Sequence, residues 1–333
     1  MKEARWWKSI GDKKIECTLC PRHCKLKDGQ NGFCFVRQNI SGVLQSLAYS
    51  SPIAVHTDPI EKKPLYHFLP GSEIFSLGTV GCNLGCRFCQ NWDISKARID
   101  QKSVRHFTPE DIVKAALNCD CKGIAFTYNE PTIFGEYVID ISKLAHKSGL
   151  KTVMVTNGYI TKEAIKDIYP FIDAANIDLK AFTEEFYSKY CQAHLQPILD
   201  AIIEIKKTGT WIELTTLIIP DLNDSSEEVK SLIDWVLKNL GSDVPLHFSA
   251  FHPTYKMMDR KRTPKSTLDR ARKLALDAGI HYVYEGNVMT TVEGNTYCPE
   301  CRRLLIERQW FTVVHNSLVN GKCVCGAPIF IMQ

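Results

Sequence analysis

Short apolar runs alternate with amphipathic stretches from residue 73 to about residue 287. Apolar runs bounded by turn residues predict buried strands, and the amphipathic stretches predict helices. Helix starts are indicated at Thr108-Pro109 and Thr263-Pro264, and Gly149 indicates a helix end. Repeated strand–helix units imply a parallel sheet, so the predicted fold class is α/β. The predicted strands span residues 74–80, 123–128, 152–156, 174–179, 211–219, 246–251 and 282–284.

The segments on either side break this alternation. Pro59, Pro64 and Pro70 predict a rigid extended connector without a helix, whose side chains could reach the mouth of a site formed by the strand after it. The regions before the connector and after the central domain are rich in cysteine. The predicted division is an N-terminal module at 1–50, a connector at 51–72, an α/β domain at 73–290 and a C-terminal module at 291–333.

Charge and hydropathy limit the location of the protein and the classes of its partners. The 333 residues include 41 Lys and Arg against 37 Asp and Glu, a net charge of +4. This weakly basic balance, without a long Lys/Arg block, argues against nucleic-acid binding. No apolar run reaches membrane-spanning length, and residues 1–8 lack the apolar core of a signal peptide. We therefore expect a cytoplasmic protein with no membrane association.

Fourteen cysteines in a cytoplasmic chain favour metal sites over disulfides. Cys119, Cys121 and Cys191 are isolated in the sequence and are interpreted as ordinary packing residues. The remaining cysteines form an N-terminal set (Cys17, Cys20, Cys24, Cys34), a central set (Cys82, Cys86, Cys89) and a C-terminal set (Cys298, Cys301, Cys323, Cys325).

The central set lies in a short loop directly after the first predicted strand of the α/β domain. Cys82, Cys86 and Cys89 have the spacing C-x3-C-x2-C, from which three thiolates can ligate three irons of one cluster. Gly81 and Gly85 allow the backbone to curl around such a group. A four-iron cluster normally takes four thiolates, so this loop would leave one iron open. Zinc is the alternative, but it would require a fourth ligand from elsewhere.

The two outer sets predict further metal sites. The N-terminal set fits either zinc or an accessory iron–sulfur cluster, with His23 as a substitute for one thiolate. Spacing alone does not separate these two, although we favour a structural metal over a redox cluster. The C-terminal set resembles a zinc ribbon, with the difference that Cys323 and Cys325 are one residue closer than usual.

The central loop resembles the cluster loop of the radical S-adenosylmethionine (SAM) superfamily. Nearly the whole chain resembles one branch, the AmmeMemoRadiSam-system radical SAM enzymes, which are similar to pyruvate formate-lyase activating enzymes. This resemblance implies a partial (β/α)6-type barrel with small cysteine-rich N- and C-terminal metal-binding appendages. It is carried by residues 17–34, 58–71, 81–91, 94–95, 128–132, 252–257 and 286–288 and by the C-terminal cysteines.

The resemblance also implies the chemistry. The central cysteines are expected to hold a [4Fe–4S] cluster whose open iron binds SAM. An electron from a flavodoxin- or ferredoxin-like donor is expected to drive cleavage of SAM to methionine and a 5′-deoxyadenosyl radical, which takes a hydrogen atom from the substrate. The name of the branch further implies association with Memo-like and AMMECR-like proteins.

Five residues at predicted strand ends are implied as SAM contacts. Their matches in activating enzymes lie in runs that hold the amino-acid end of SAM. This chain has Val155 where that family has an aspartate, which argues against a bound cation there. Glu130 also precedes Pro131, so it has the alternative role of starting a helix. The candidate contacts are Glu130, Asn157, Asp178, Lys180 and His252.

Three functions agree with these features. The leading interpretation is a radical SAM enzyme of unidentified substrate, with a protein or peptide among the candidates. The second is an activase that forms a glycyl radical on a partner enzyme. The third belongs to another class: a non-catalytic, cysteine-rich zinc module that binds a partner.

Overall fold

A computed structural model describes residues 1–99, 105–289, 292–319 and 321–332. The N-terminal module consists of two small antiparallel sheets with strand orders β1-β6-β5 and β2-β3-β4. Its strands are β1 (Lys2–Glu3), β2 (Trp7–Ser9), β3 (Ile15–Cys17), β4 (Lys25–Leu26), β5 (Arg37–Ile40) and β6 (Val43–Ser46).

The centre of the molecule is an eight-stranded sheet in the described part of the chain. Its strands follow one another in sequence order, and all neighbours from β8 to β14 are parallel. These seven parallel strands are the seven predicted ones, each shifted by at most two residues at an end. The strands are β7 (Ala54–Pro59), β8 (Glu73–Gly78), β9 (Gly123–Phe126), β10 (Lys151–Thr156), β11 (Ala174–Asp178), β12 (Trp211–Ile218), β13 (Leu246–Ala250) and β14 (Val283–Gly286).

Helices connect the parallel strands, so the α/β fold class is confirmed. Thr108 caps the helix that begins at Pro109: its side chain accepts a hydrogen bond from Asp111 N in a reciprocal capping box. Gly149 follows a helix with φ of +75°, as its predicted capping role requires. The helices are α1 (Trp92–Ser95), α2 (Pro109–Asn118), α3 (Gly135–Lys147), α4 (Lys162–Ile168), α5 (Glu184–Phe186), α6 (Leu195–Lys207), α7 (Ser226–Leu240) and α8 (Lys265–Asp277), with a π-turn at Tyr187–Cys191.

The predicted connector at 51–72 is extended, but part of it belongs to the sheet. Strand β7 pairs antiparallel with β8, with His56 opposite Ser76. A single 3-10 turn, Ile60–Lys62, then leads towards β8. The mostly exposed side chains of β7 produce no buried-strand pattern, so the sequence does not predict this pairing.

The C-terminal module is an antiparallel sheet of β15 (Thr296–Tyr297), β16 (Leu304–Gln309) and β17 (Thr312–Asn316). It packs on the segment between β7 and β8 through a buried ion pair, in which Arg308 Nε lies 3.4 Å from Glu61 Oε1. Arg308 also donates to the carbonyl oxygen of Tyr66 at 2.7 Å. In the described ranges, no helix combines the length and the apolar character needed to cross a membrane.

Candidate active site

The three central cysteines lie on the wall of a cavity of about 660 Å³. The cavity opens where the parallel strands end, since its wall also includes Thr127, Thr156 and Asp178. This edge is where α/β barrels place their reactive groups. The predicted cysteine loop and the strand-end residues therefore meet in one space.

The cysteine loop is held through its backbone from two sides. Gly81 N donates to the carbonyl oxygen of Ile94 at 3.0 Å, which fixes the start of the loop. Gly85 N donates to Cys191 O at 2.8 Å, and Arg87 N donates to Tyr190 O at 2.9 Å. The π-turn thus fixes the backbone of the cysteine loop through hydrogen bonds. No local pattern in the sequence predicted this role.

Glycine is required at the first position of the loop. Gly81 has φ of +89°, and a Cβ atom there would lie 2.3 Å from the carbonyl oxygen of Cys34. Both the dihedral angle and the space exclude a side chain. At Gly85 the obstacle is softer, because a Cβ atom would meet the end of the Gln192 side chain at 1.9 Å.

Each of the three thiols has a polar neighbour. Asn157 Nδ2 lies 3.8 Å from Cys82 Sγ, and Ser95 Oγ lies 3.6 Å from Cys89 Sγ. The third thiol, that of Cys86, is buried next to the thiol of Cys191. Cys191 was interpreted as a packing residue, and its buried position agrees with this, but it also contacts the loop.

The thiols differ in acidity. Burial raises the pKa values of Cys82 and Cys89 above the usual range. The hydrogen bond with Cys191 lowers the pKa of Cys86 to about 7, with a further contribution from the ammonium group of Lys180. A thiolate is the metal-binding form of cysteine, so the surroundings of Cys86 favour ligation near neutral pH.

Asp178 and Lys180 form an ion pair at the end of β11, with Lys180 Nζ 2.8 Å from Asp178 Oδ2. Both side chains line the cavity. Burial alone would lower the pKa of Lys180, but Asp178 and Cys86 together hold it well above its usual value. The pair therefore presents one cationic and one anionic group beside the cysteine loop.

Glu130 is buried and connects two strand ends. Its carboxylate accepts hydrogen bonds from Thr132 N at 3.0 Å, Thr156 Oγ1 at 2.7 Å and Asn157 N at 2.8 Å. It also caps the 3-10 turn that begins at Pro131. The alternative structural role is therefore present, and Glu130 additionally lies on the cavity wall. Burial raises its pKa above the usual range.

His252 stands apart from the other predicted contacts. Its Nε2 lies 3.0 Å from the carbonyl oxygen of Asn287, and Asn287 lines the cavity. His252 is not one of the described residues that line the cavity. The structure therefore brings four of the five predicted contacts to the cavity that the cysteines line, namely Glu130, Asn157, Asp178 and Lys180. His252 instead contacts Asn287, which lines the cavity.

The rim of the cavity includes residues outside the parallel strands. Lys62, Lys63 and Pro64 line it, in agreement with the expected position of the connector side chains. Lys63 Nζ lies 2.6 Å from Asp58 Oδ2, to which Tyr128 also donates. Burial would raise the pKa of Asp58, but hydrogen bonds from Lys62, Lys63 and Tyr128 outweigh it and keep the pKa well below the usual range. Asp58 is thus a charged anchor for the rim.

The C-terminal cysteines are gathered as one set. The Sγ atoms of Cys298 and Cys325 lie 3.6 Å apart, as do those of Cys301 and Cys323. All four sulfur atoms lie within 4.8 Å of one another. Tetrahedral zinc with Zn–S bonds of about 2.3 Å places its ligands roughly 3.8 Å apart, so the set has the dimensions of a zinc site.

Comparison with known proteins agrees with this site. Residues 76–236, which include the cysteine loop and the strand ends, match the radical SAM superfamily. The chain belongs to the radical SAM superfamily. An uncharacterised protein of Methanocaldococcus jannaschii is 44% identical over 335 positions and the full length of both chains.

Relatives with assigned activities are more distant. The pyruvate formate-lyase-activating enzyme of Clostridium pasteurianum is 23% identical over 62% of this chain and 89% of its own. A radical SAM methyltransferase from Sphaerobacter thermophilus has the same fold, with a TM-score of 0.52 and 16% identity over 66% of this chain and 67% of that one. Radical SAM proteins of these kinds are enzymes, so the alternative of a non-catalytic zinc module is wrong for this chain.

Radical SAM enzymes use a [4Fe–4S] cluster and SAM. The residues of the cavity fit these groups, since three thiols from one loop line it and would leave one iron of a four-iron cluster open. The ion pair of Asp178 and Lys180 offers charges complementary to the ammonium and carboxylate groups of an amino acid.

Proposed function

We propose that this radical SAM enzyme holds its [4Fe–4S] cluster on Cys82, Cys86 and Cys89 and removes a hydrogen atom from a substrate C–H bond. When bound, the reduced cluster would supply the electron that cleaves SAM to methionine and a 5′-deoxyadenosyl radical. The observation that carries the proposal is the shared cavity, which brings the three thiols of one loop together with the charged strand-end residues.

The side chains around the cavity have separate tasks in this proposal. Asp178 and Lys180 hold the amino-acid end of SAM, because their opposite charges match its ammonium and carboxylate groups. Glu130 fixes the neighbouring strand end and offers a further carboxylate on the wall. Asn157 donates a hydrogen bond towards the sulfur of Cys82. Asn287, supported by His252, lines the same space.

The substrate enters from the rim that the connector and the C-terminal module form together. Phe311, at the turn between β16 and β17, reaches the wall of the cavity, and Trp310 beside it is exposed. An open rim with an exposed aromatic side chain suits a protein or peptide substrate. Association with Memo-like and AMMECR-like proteins is part of this proposal, and co-purification of the three from one host tests it.

The test of the function is SAM cleavage. After anaerobic reconstitution with iron and sulfide, the protein is incubated with dithionite and SAM, and 5′-deoxyadenosine is measured. We expect formation by the wild type and by Cys119→Ala, whose cysteine is exposed and lies outside the cavity, and complete loss in Cys86→Ala. A folded, iron-loaded wild type that forms no deoxyadenosine would refute the function.

We also propose that Cys298, Cys301, Cys323 and Cys325 hold one structural zinc ion. Their mutual spacing supports this metal, since all four sulfurs fit the tetrahedron of one ion. Metal analysis of the purified protein should give one zinc per chain, and Cys301→Ser should lose it. Retention of full zinc content by Cys301→Ser would contradict this assignment.

A further inference from the structure

The N-terminal cysteines form a second sulfur-rich site beside the active-site loop. Cys17, Cys20 and Cys34 are buried, and Cys24 is half-buried. A Cβ atom built on Gly32 would lie 3.7 Å from Cys24 Sγ and 3.8 Å from Cys34 Sγ, so these two sulfurs converge on one place. The His23 side chain is half exposed, with Nδ1 3.0 Å from Glu16 Oε1, and the four thiols form a complete ligand set without it.

The spacing of these sulfurs differs from that of the C-terminal set. Among the cysteines that the structure describes, the C-terminal four lie within 4.8 Å of one another, whereas no three of the N-terminal four do. Ligands of one zinc ion must approach to roughly 3.8 Å. Thiolates bound to separate irons at the corners of a cluster lie further apart. Cys82, Cys86 and Cys89 likewise form no group within 4.8 Å.

The charge around the site also suits a cluster with four thiolates. The backbone of Arg37 borders the site, with its carbonyl oxygen 3.6 Å from a Cβ atom built on Gly32, and the guanidinium group of Arg37 is a buried cation in this module. Arg37 is anchored by Glu136, with Nη2 2.7 Å from Oε1. Its buried Nε has no hydrogen-bond partner among the described residues, so one donor of this buried cation remains unpaired.

The site touches the cysteine loop directly. The carbonyl oxygen of Cys34 packs against Gly81, the residue before Cys82. Arg22, which lies between Cys20 and Cys24, donates from Nε to the carbonyl oxygen of Asn83 at 2.5 Å. The segments that carry the two sets of cysteines are therefore in direct contact.

We propose that Cys17, Cys20, Cys24 and Cys34 hold a second iron–sulfur cluster, of the four-iron type, that relays electrons to the active-site loop. This replaces the structural metal that we favoured from the sequence. One electron would pass from a low-potential ferredoxin- or flavodoxin-like protein through this site to the loop, with no bond or proton transferred. The site itself is independent of the proposed function, and only the relay role rests on it.

The first experiment measures the metal without relying on activity. The triple variant Cys82→Ala/Cys86→Ala/Cys89→Ala is reconstituted anaerobically and analysed for iron, sulfide and zinc. We expect about four irons and four sulfides per chain, against twice that in the wild type. Dithionite should produce an electron paramagnetic resonance signal that SAM does not change. A triple variant with two zinc ions and no iron, or with neither metal at this site, would overturn the proposal.

The converse variant gives a matched control. Cys20→Ala/Cys24→Ala should keep about four irons, and their signal should respond to SAM. If the wild type holds both clusters but forms no deoxyadenosine, the proposed function fails while the second site stands. If the triple variant holds no iron while the wild type forms deoxyadenosine, the second site fails alone.

The relay role has its own measurement. SAM cleavage is driven either by dithionite or by a purified, pre-reduced bacterial two-cluster ferredoxin. In Cys20→Ala/Cys24→Ala, the ratio of ferredoxin-driven to dithionite-driven cleavage should fall at least tenfold relative to the wild type. An equal ratio in the two proteins would show that the second cluster is not a relay.

Discussion

Lys180 Nζ lies 2.8 Å from Asp178 Oδ2, and the same ammonium group raises the acidity of the Cys86 thiol. One lysine therefore serves both the predicted SAM end of the cavity and a predicted cluster ligand. Because Lys180 is largely buried, solvent screens the interactions of its charge with Asp178 and Cys86 only weakly. The pair connects the two halves of the proposed site.

Removal of this lysine should weaken SAM binding. In the proposed site, Lys180→Met would delete a charge-assisted hydrogen bond to the amino-acid end of SAM. Such a bond is worth about 1.5–3 kcal/mol, so the Kd for SAM should rise roughly 10- to 100-fold. Isothermal titration of SAM into the reconstituted protein measures this. Lys189→Met, on the exposed side of the nearby π-turn, is the control and should leave the Kd unchanged. An unchanged Kd for Lys180→Met would remove the residue from the site.

The two loop glycines should differ in their tolerance of alanine. Gly81→Ala meets the backbone carbonyl oxygen of Cys34 at positive φ, and we expect a loss of stability on the order of 3 kcal/mol together with lost iron. Gly85→Ala meets only the flexible end of Gln192 and should cost about 1 kcal/mol. Chemical denaturation and iron analysis compare them. Equal losses would contradict the distinction.

The amide of Asn157 should influence the potential of the bound cluster. Hydrogen bonds to cluster sulfurs stabilise the more negative, reduced form, so Asn157→Leu should shift the midpoint potential by tens of mV to more negative values. Anaerobic redox titration followed by electron paramagnetic resonance measures the shift. Asn239→Leu, a helix residue that lies outside the cavity wall, is the control. A positive shift would argue against this hydrogen bond.

The buried ion pair between Arg308 and Glu61 should be essential for docking of the C-terminal module. Arg308→Met leaves the Glu61 carboxylate buried and uncompensated, and we expect a loss of about 3–5 kcal/mol in the free energy of unfolding. Urea denaturation measures the loss, with Arg303→Met at an exposed position as the matched control. If Arg308→Met lowers the free energy of unfolding by less than Arg303→Met does, the ion pair between Arg308 and Glu61 does not hold the C-terminal module.

The stability of the protein should depend on pH through Glu285. Burial, with Asp269 and Glu293 nearby and Lys265 in partial compensation, raises the pKa of Glu285 from 4.5 to about 7. The folded state therefore holds this proton more tightly than the unfolded state, and the contribution is complete below pH 4.5 and is lost as the pH rises to about 7. Glu285→Gln should remove this dependence.

The expected gain for Glu285→Gln over the wild type at pH 8 is on the order of 1 kcal/mol, after allowance for solvent screening. Near pH 4.5 the difference should vanish. Thermal unfolding across this pH range measures both values, and Glu163→Gln at an exposed position provides the control. A variant less stable than the wild type at pH 8 would contradict the raised pKa.

The seven parallel strands and the cysteine loop were accessible from the sequence because their signals are local. A buried strand requires an apolar run, and a cluster loop requires closely spaced thiols with small residues between them. The positions of Glu130, Asn157, Asp178 and Lys180 followed from the same logic, since side chains at the ends of parallel strands meet at one edge. Their individual roles remain predictions.

Tertiary structure alone decided the features that depend on distant segments. Strand β7 joins the sheet because β8 offers it backbone partners, although only one of its six side chains, that of Asp58, is buried. Cys191 and the π-turn support the loop from about a hundred residues away. The difference in sulfur spacing between the N- and C-terminal sets is likewise set by folding. Sequence spacing limits which thiols can share a site, but the backbone path between them determines how closely they approach.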